Sequence, residues 1–179
     1  MNGTGGFLNP QRVIMEMDIV PPVRIAHFGC GHGYFTILLA KLVGSEGHIY
    51  AIDILQEALN EVEAKAQKES LKNIQTIRGN LEVPGGSKVP DESCDYALLA
   101  NILFQSKKKM EIITEARRVL KTGGKLVIID WEFNAKLTSD SGWRISENEA
   151  QILAQDQNFS LDRKFDAGAY HYGLIFAKF

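Results

Sequence analysis

Apolar and polar residues alternate along the chain in two periods, and the switches between them mark its elements. Residues 23–28 (VRIAHF) form a short apolar run, a buried strand closed by a glycine-rich turn. Residues 34–43 take helical spacing, with Phe35, Leu38, Leu39 and Leu42 on one face. A second strand follows at 47–53 (GHIYAID), then an amphipathic helix at 55–70 with an inward stripe of Leu55, Leu59, Val62 and Ala66. Residues 73–78 predict a third strand, and 80–93, rich in Pro, Gly and Asp, a loop with little regular structure. Residues 95–100 (DYALLA) are almost continuously apolar, as in a strand covered on both faces. A helix is predicted over 107–120 with Met110, Ile113, Ala116 and Leu120 inward. Lys107, Lys108 and Lys109 are its solvated first turn, and Gly123-Gly124 its left-handed stop. A fifth strand at 125–131 (KLVIIDW) and a helix near 145–157 lead to strands at 160–165 and 170–178 joined by a turn. At the other end, Asn9 caps a first helix that Pro10 opens.

Strand–helix–strand repeats with short connections imply right-handed crossovers. The expected fold class is α/β: a doubly wound, mostly parallel seven-stranded sheet with helices on both faces and a C-terminal antiparallel hairpin. Neither an internal repeat nor a linker divides the 179 residues, so the expectation is a single domain over 1–179. Functional residues then belong just past the strands, at the switch point beside the first.

Charge and composition narrow the function classes. With 20 Lys+Arg against 22 Asp+Glu the formal net charge is −2, which gives no basic field for nucleic acid. No apolar run approaches the roughly 18–20 residues of a membrane span. The N-terminus lacks the layout of a secretion signal, and two cysteines, Cys30 and Cys94, make neither a disulfide framework nor a metal knuckle. A reduced, cytoplasmic setting and no metal are expected.

The most informative window is His27-Phe28-Gly29-Cys30-Gly31-His32-Gly33-Tyr34. Alternate glycines let backbone approach a ligand closely, and the next helix turns its first N–H groups toward an anion. A dinucleotide fingerprint needs a glycine where Tyr34 stands, and the Gly-Lys-Ser/Thr of a phosphate loop is missing. Asp53, about 20 residues on at the end of the second strand, has two oxygens suited to a ribose diol, or to capping the helix behind it.

Four segments in order, FGCGHG (28–33), Asp53, GNLE (79–82) and LKTGGKLVIID (120–130), resemble the class I S-adenosylmethionine-dependent methyltransferases, most closely the ubiquinone/menaquinone-biosynthesis-like enzymes. The resemblance implies a Rossmann-like fold, S-adenosylmethionine as cofactor and a small-molecule acceptor. It also implies site residues. His27, Phe28, Gly29, Cys30, Gly31 and Gly33 would surround the methionine part, and Asp53 the ribose. Ile54, Asn80 and Leu81 would meet the adenine, and Asn101 through Phe104 would form the cleft floor near the sulfonium.

Two departures stand out. His27 occupies the family's usual acidic position, so the methionine ammonium should bind more weakly as pH falls through the imidazole's titration. No general base is evident; Asp130, Glu132, His32, His171 and Tyr172 are rim positions, with Trp131 and Phe133 as an aromatic wall. These departures keep open a non-catalytic module that binds S-adenosylmethionine or S-adenosylhomocysteine. Residues 1–22 could close over the cofactor, and the acceptor pocket is either shallow or completed by a partner subunit in a homodimer.

Overall fold

The structure, a computed structural model, describes residues 8–133 and 143–179. Seven strands make one sheet: β1 (Arg24–Phe28), β2 (His48–Asp53), β3 (Ile74–Arg78), β4 (Cys94–Ala100), β5 (Leu120–Trp131), β6 (Phe159–Asp166) and β7 (His171–Lys178). Their order is β3-β2-β1-β4-β5-β7-β6. The first five are parallel, while β7 lies antiparallel between β5 and β6. From β1 the chain winds outward to β2 and β3, then returns to β4 and β5 on the other side. That reversal opens a crevice at the carboxyl ends of β1 and β4.

Alternating side chains serve two layers. On one face Ile25, Ile49, Leu98, Val127 and Ile175 pack under α1 (Pro10–Glu16) and α2 (Tyr34–Val43). On the same face Ala51 meets Leu59 and Val62 of α3 (Gln56–Lys68). On the other, Ala26, Phe28, Ile52, Leu99 and Ile128 pack against α4 (Lys109–Val119) and α5 (Glu147–Asp156). The Asn9 side chain accepts from the Gln11 and Arg12 amides, as its cap role requires. A reciprocal pairing of Ser146 with Glu149 opens α5.

Several local expectations are corrected. Leu42 and Leu55 are exposed, and Thr36, Ala40 and Ala58 take buried places instead. On α4, Ile112 and Val119 join the inward face, Met110 is only half-buried, and Leu120 already belongs to β5. Lys109 is buried, with its ammonium on the Ser106 carbonyl, so it is no solvated first turn. Gly123-Gly124 does not cap α4. Leu120 goes straight into extended backbone and pairs with Cys94, and pairing then jumps to Tyr96↔Lys125. The glycines therefore sit in a bulge inside a strand of 12 residues, where Gly123 has φ +78°.

Candidate functional site

The turn after β1 is built by left-handed glycines at 29, 31 and 33. Cys30 N donates to Ile52 O, and Gly31 N donates to Asp53 Oδ2 at 2.9 Å. The other Asp53 oxygen accepts from Leu55 N at 3.0 Å, so this carboxylate joins the glycine turn to the start of α3. The glycines have distinct reasons. A Cβ on Gly33 would come within 2.8 Å of Val62 Cγ2, so this residue supplies the close α2–α3 approach that Tyr34 cannot. A Cβ on Gly31 would meet nothing within 4 Å and would project into open space.

Two cavities flank the turn. One, about 500 Å³, is bounded by Asp53, Ile54, Asn80, Leu81 and Ile112 among others. The other, about 530 Å³, is bounded by His27, Cys30, Phe35, Ala100 and Asn101, with Leu8 and Pro10 at its mouth. Gly29, Gly31, His32 and Gln105 line both. Of the eleven positions implied by the sequence up to Asn101, nine thus border one of the two cavities. Phe28 is an exception, fully buried in the core on the α4 side. Gly33 is the second, bordering an outer groove with Tyr34 and Lys65. Ile102 belongs to the stretch expected to form the cleft floor, and Gln105 lies just past it at the end of the 3-10 turn Leu103–Gln105, inside the expected window after β4 but not singled out there.

His27 is 2% exposed, and its Nδ1 lies 2.8 Å from Thr36 Oγ1. Burial, opposed by the charge of Asp53, pulls its pKa down to about 4. The imidazole is neutral over the ordinary pH range, so the titration anticipated from sequence is moved to strongly acidic conditions. Asn101, with φ +55°, donates its amide to Ile129 O and accepts from Gln105 Nε2, while its Oδ1 is buried without a partner. Burial pushes the Cys30 and Cys94 thiols up to about 12 and 11. Among the described residues no group of three His, Cys, Asp or Glu could hold a metal ion.

The rim positions divide by environment. Asp130 Oδ2 accepts from the Leu103 and Phe104 amides, and Oδ1 from Trp131 N. Burial nevertheless pushes its carboxyl up to about 6. It holds the 3-10 turn rather than standing free as a base. His171 stacks on Trp131 with ring centres 4.2 Å apart; burial and Arg144 pull its pKa down to about 4. The Tyr172 hydroxyl is buried without a partner, and burial raises its pKa. His32 is exposed, with Nδ1 2.9 Å from Glu61, while Glu132 and Phe133 are exposed. The anticipated N-terminal closing segment lies partly outside the described residues, which begin at Leu8.

A doubly wound sheet with a glycine turn and an acid one βα unit later is shared with dinucleotide-binding folds; with the antiparallel β7 set between β5 and β6 it matches the fold of S-adenosylmethionine-dependent methyltransferases. The family described as a methyltransferase domain matches residues 23–168, and this chain belongs to it. The chain is similar to a demethylmenaquinone methyltransferase of Listeria welshimeri, 34% identical over 102 residues, which are 56% of this chain and 42% of that one. It spans less than half the length of the curated relatives it matches. A solved S-adenosylmethionine-dependent methyltransferase from Aquifex aeolicus superposes with TM-score 0.83 at 26% identity, covering 94% of this chain and 89% of that one. The [4+2]-cyclase SpnF shares the fold alone, with TM-score 0.80 at 16% identity over 94% of this chain and 79% of that one. Among the described residues no helix is long and apolar enough to cross a membrane.

Proposed function

We propose that this chain transfers the methyl group of S-adenosylmethionine to a small-molecule acceptor. The observation that carries the reading is the pair of cavities sharing the glycine turn, with the Asp53 carboxylate in the wall of the first and bonded to the amide of Gly31, which lines both. The residues fit the cofactor. The open space in front of Gly31 is where a Cβ would intrude, and the orphaned Asn101 Oδ1 is an unused acceptor beside the second cavity. Asp53 would take the ribose diol with the lone pairs left by its two amide contacts. Ile54, 56% exposed at the cavity wall, offers an apolar face to the adenine, with Asn80 and Leu81 at its edge. His27, Gly29, Cys30, Gly31 and Asn101 would surround the methionine part.

Bound S-adenosylmethionine supplies an electrophilic methyl carbon on a sulfonium, open to in-line displacement. The chain's own contribution is orientation, which in favourable intramolecular cases is worth about 7–11 kcal/mol. Asp130 fixes Leu103 and Phe104, so the cleft floor keeps its shape next to Asn101. Trp131, Phe104 and His171 form an aromatic corner on that side, which suits a planar or apolar acceptor. An aromatic quinol, as the name of the demethylmenaquinone relatives indicates for them, is one such molecule. Asp130 is taken up in holding the 3-10 turn and His32 is paired with Glu61 through Nδ1; an acceptor that is already anionic needs neither as a base.

Calorimetry with S-adenosylhomocysteine tests the binding half. Wild type should bind, and Asp53→Ala should lose about 10–100-fold in affinity as charge-assisted contacts disappear. Turnover of S-adenosylmethionine across a panel of phenols, thiols and quinols tests the other half. Binding without any transfer would replace the enzyme by a ligand-binding module, and no binding would end both readings.

A further inference from the structure

Glu115 lies on the buried face of α4 among Ile112, Ile113, Ala116 and Val119, one turn after Ile112, which itself lines the cavity beside Asp53. It is 2% exposed, and its carboxylate is fully employed. One oxygen accepts from Gly85 N and Arg118 Nε, both at 2.9 Å. The other accepts from Ser87 N at 3.0 Å, Ser87 Oγ at 2.5 Å and Arg118 Nη2 at 2.7 Å. Burial alone would raise its pKa, but Arg118, Ser87 and Gly85 hold it down to about 2. Between the two clamped residues stands Gly86, whose Cβ would come within 1.8 Å of Asn80 O. A Cβ on Gly79 would in turn lie 2.4 Å from Gly86 O. The loop is thus pressed back on the two residues that open it. Asn80 Oδ1 accepts from Glu82 N, and Glu82 is tied to Ser106 Oγ at 2.6 Å on the far wall.

We propose that Glu115 is the positioning residue for base recognition: its clamp on Gly85 and Ser87 sets Gly86 against Asn80, and so fixes the edge that reads the adenine amino group. The assignment rests on the cofactor reading above. A loop without regular structure has no ladder to hold its backbone amides, and one buried carboxylate does that work here. Glu115→Gln turns an amide N–H₂ toward groups that are themselves donors, so the clamp opens while side-chain volume is kept.

The test is calorimetry on the full chain with two ligands, S-adenosylhomocysteine and S-inosylhomocysteine, in which oxygen replaces the 6-amino group. Wild type should prefer the adenosyl ligand by about tenfold or more. Glu115→Gln should bind S-adenosylhomocysteine about tenfold more weakly and shrink that preference to about twofold. Ser87→Ala, which removes one of five donors, should move both quantities the same way by less. If Glu115→Gln does not fold by circular dichroism, Ser87→Ala decides on the same readout. Folded variants that keep the wild-type preference, losing affinity equally for both ligands or not at all, would overturn the role. A wild type that binds neither ligand would overturn the cofactor reading instead.

Discussion

Replacing His27 by Asn removes a titration that the fold makes costly. The imidazole is buried against Thr36 and Phe35, and its pKa falls from 6.5 to about 4. The unfolded chain therefore takes up this proton near pH 6.5, while the folded chain does so only near pH 4. Stability from this site is complete above the unfolded value and is lost as pH falls toward the folded one. The slope is about 1.4 kcal/mol per pH unit, or roughly 3 kcal/mol over the interval. Other groups titrate in the same range. His171 acts in the same direction, and Asp130, whose folded carboxyl is pushed up to about 6, in the opposite one. His27→Asn keeps both and can still pair with Thr36, so the wild-type-minus-variant difference isolates one site. Urea unfolding at steps from about pH 7.5 to about pH 4.5 reads it. The difference should fall by about 1.4 kcal/mol per unit below pH 6.5. A difference that stays constant between about pH 6.5 and pH 5 would refute the buried, neutral imidazole.

The glycines of the turn should separate stability from binding. Gly33→Ala, with its Cβ driven toward Val62, should cost about 2 kcal/mol or more by urea unfolding. Gly31→Ala meets only open space and should cost about 1 kcal/mol for its left-handed backbone, yet weaken S-adenosylhomocysteine by more than about tenfold. Equal behaviour of the two variants in either assay would contradict these assignments. His27→Asp should raise affinity for S-adenosylhomocysteine at pH 7 about fivefold, with little change for 5′-methylthioadenosine, which has no ammonium. A matching change for both ligands would show that position 27 does not face the amino-acid part.

Much of this architecture was legible because its signals are local. Residues 34–43 carry their helix in the spacing of their side chains, and the observed α2 spans the same ten residues. The apolar runs before residues 29, 54 and 101 are central strands covered on both faces, so continuity of hydrophobicity served where alternation could not. The misreadings come from long-range competition. Gly123-Gly124 has the composition of a helix stop, but pairing of Leu120 with Cys94 draws the chain into the sheet three residues earlier. Lys109 has the composition of a solvated turn, yet the Ser106 carbonyl and nearby Asp130 and Glu149 accommodate its charge. Glu115 did leave a trace: it is three residues after Ile112 and four before Val119, an acid inside an apolar stripe. Its partners at 85 and 87 sit in a loop about thirty residues earlier, which no periodicity connects to it. For the same reason the glycine turn was visible as a motif, while the inward rotation of Phe28 was not.

The residues bordering the two cavities all fall between Leu8 and Ile112. β6 and β7 contribute none of them; they extend the sheet and carry His171 and Tyr172 to the carboxyl end of β5. The cavity walls and the two carboxylates that brace them, Glu115 and Asp130, therefore all precede α5, β6 and β7. Grafting residues 143–179 from a relative with a different acceptor, which leaves Glu115 and Asp130 in place, should yield hybrids that keep their nucleoside affinity while changing what they modify. In a lineage, new chemistry could then arise by drift in those last residues, with the cavity walls left alone.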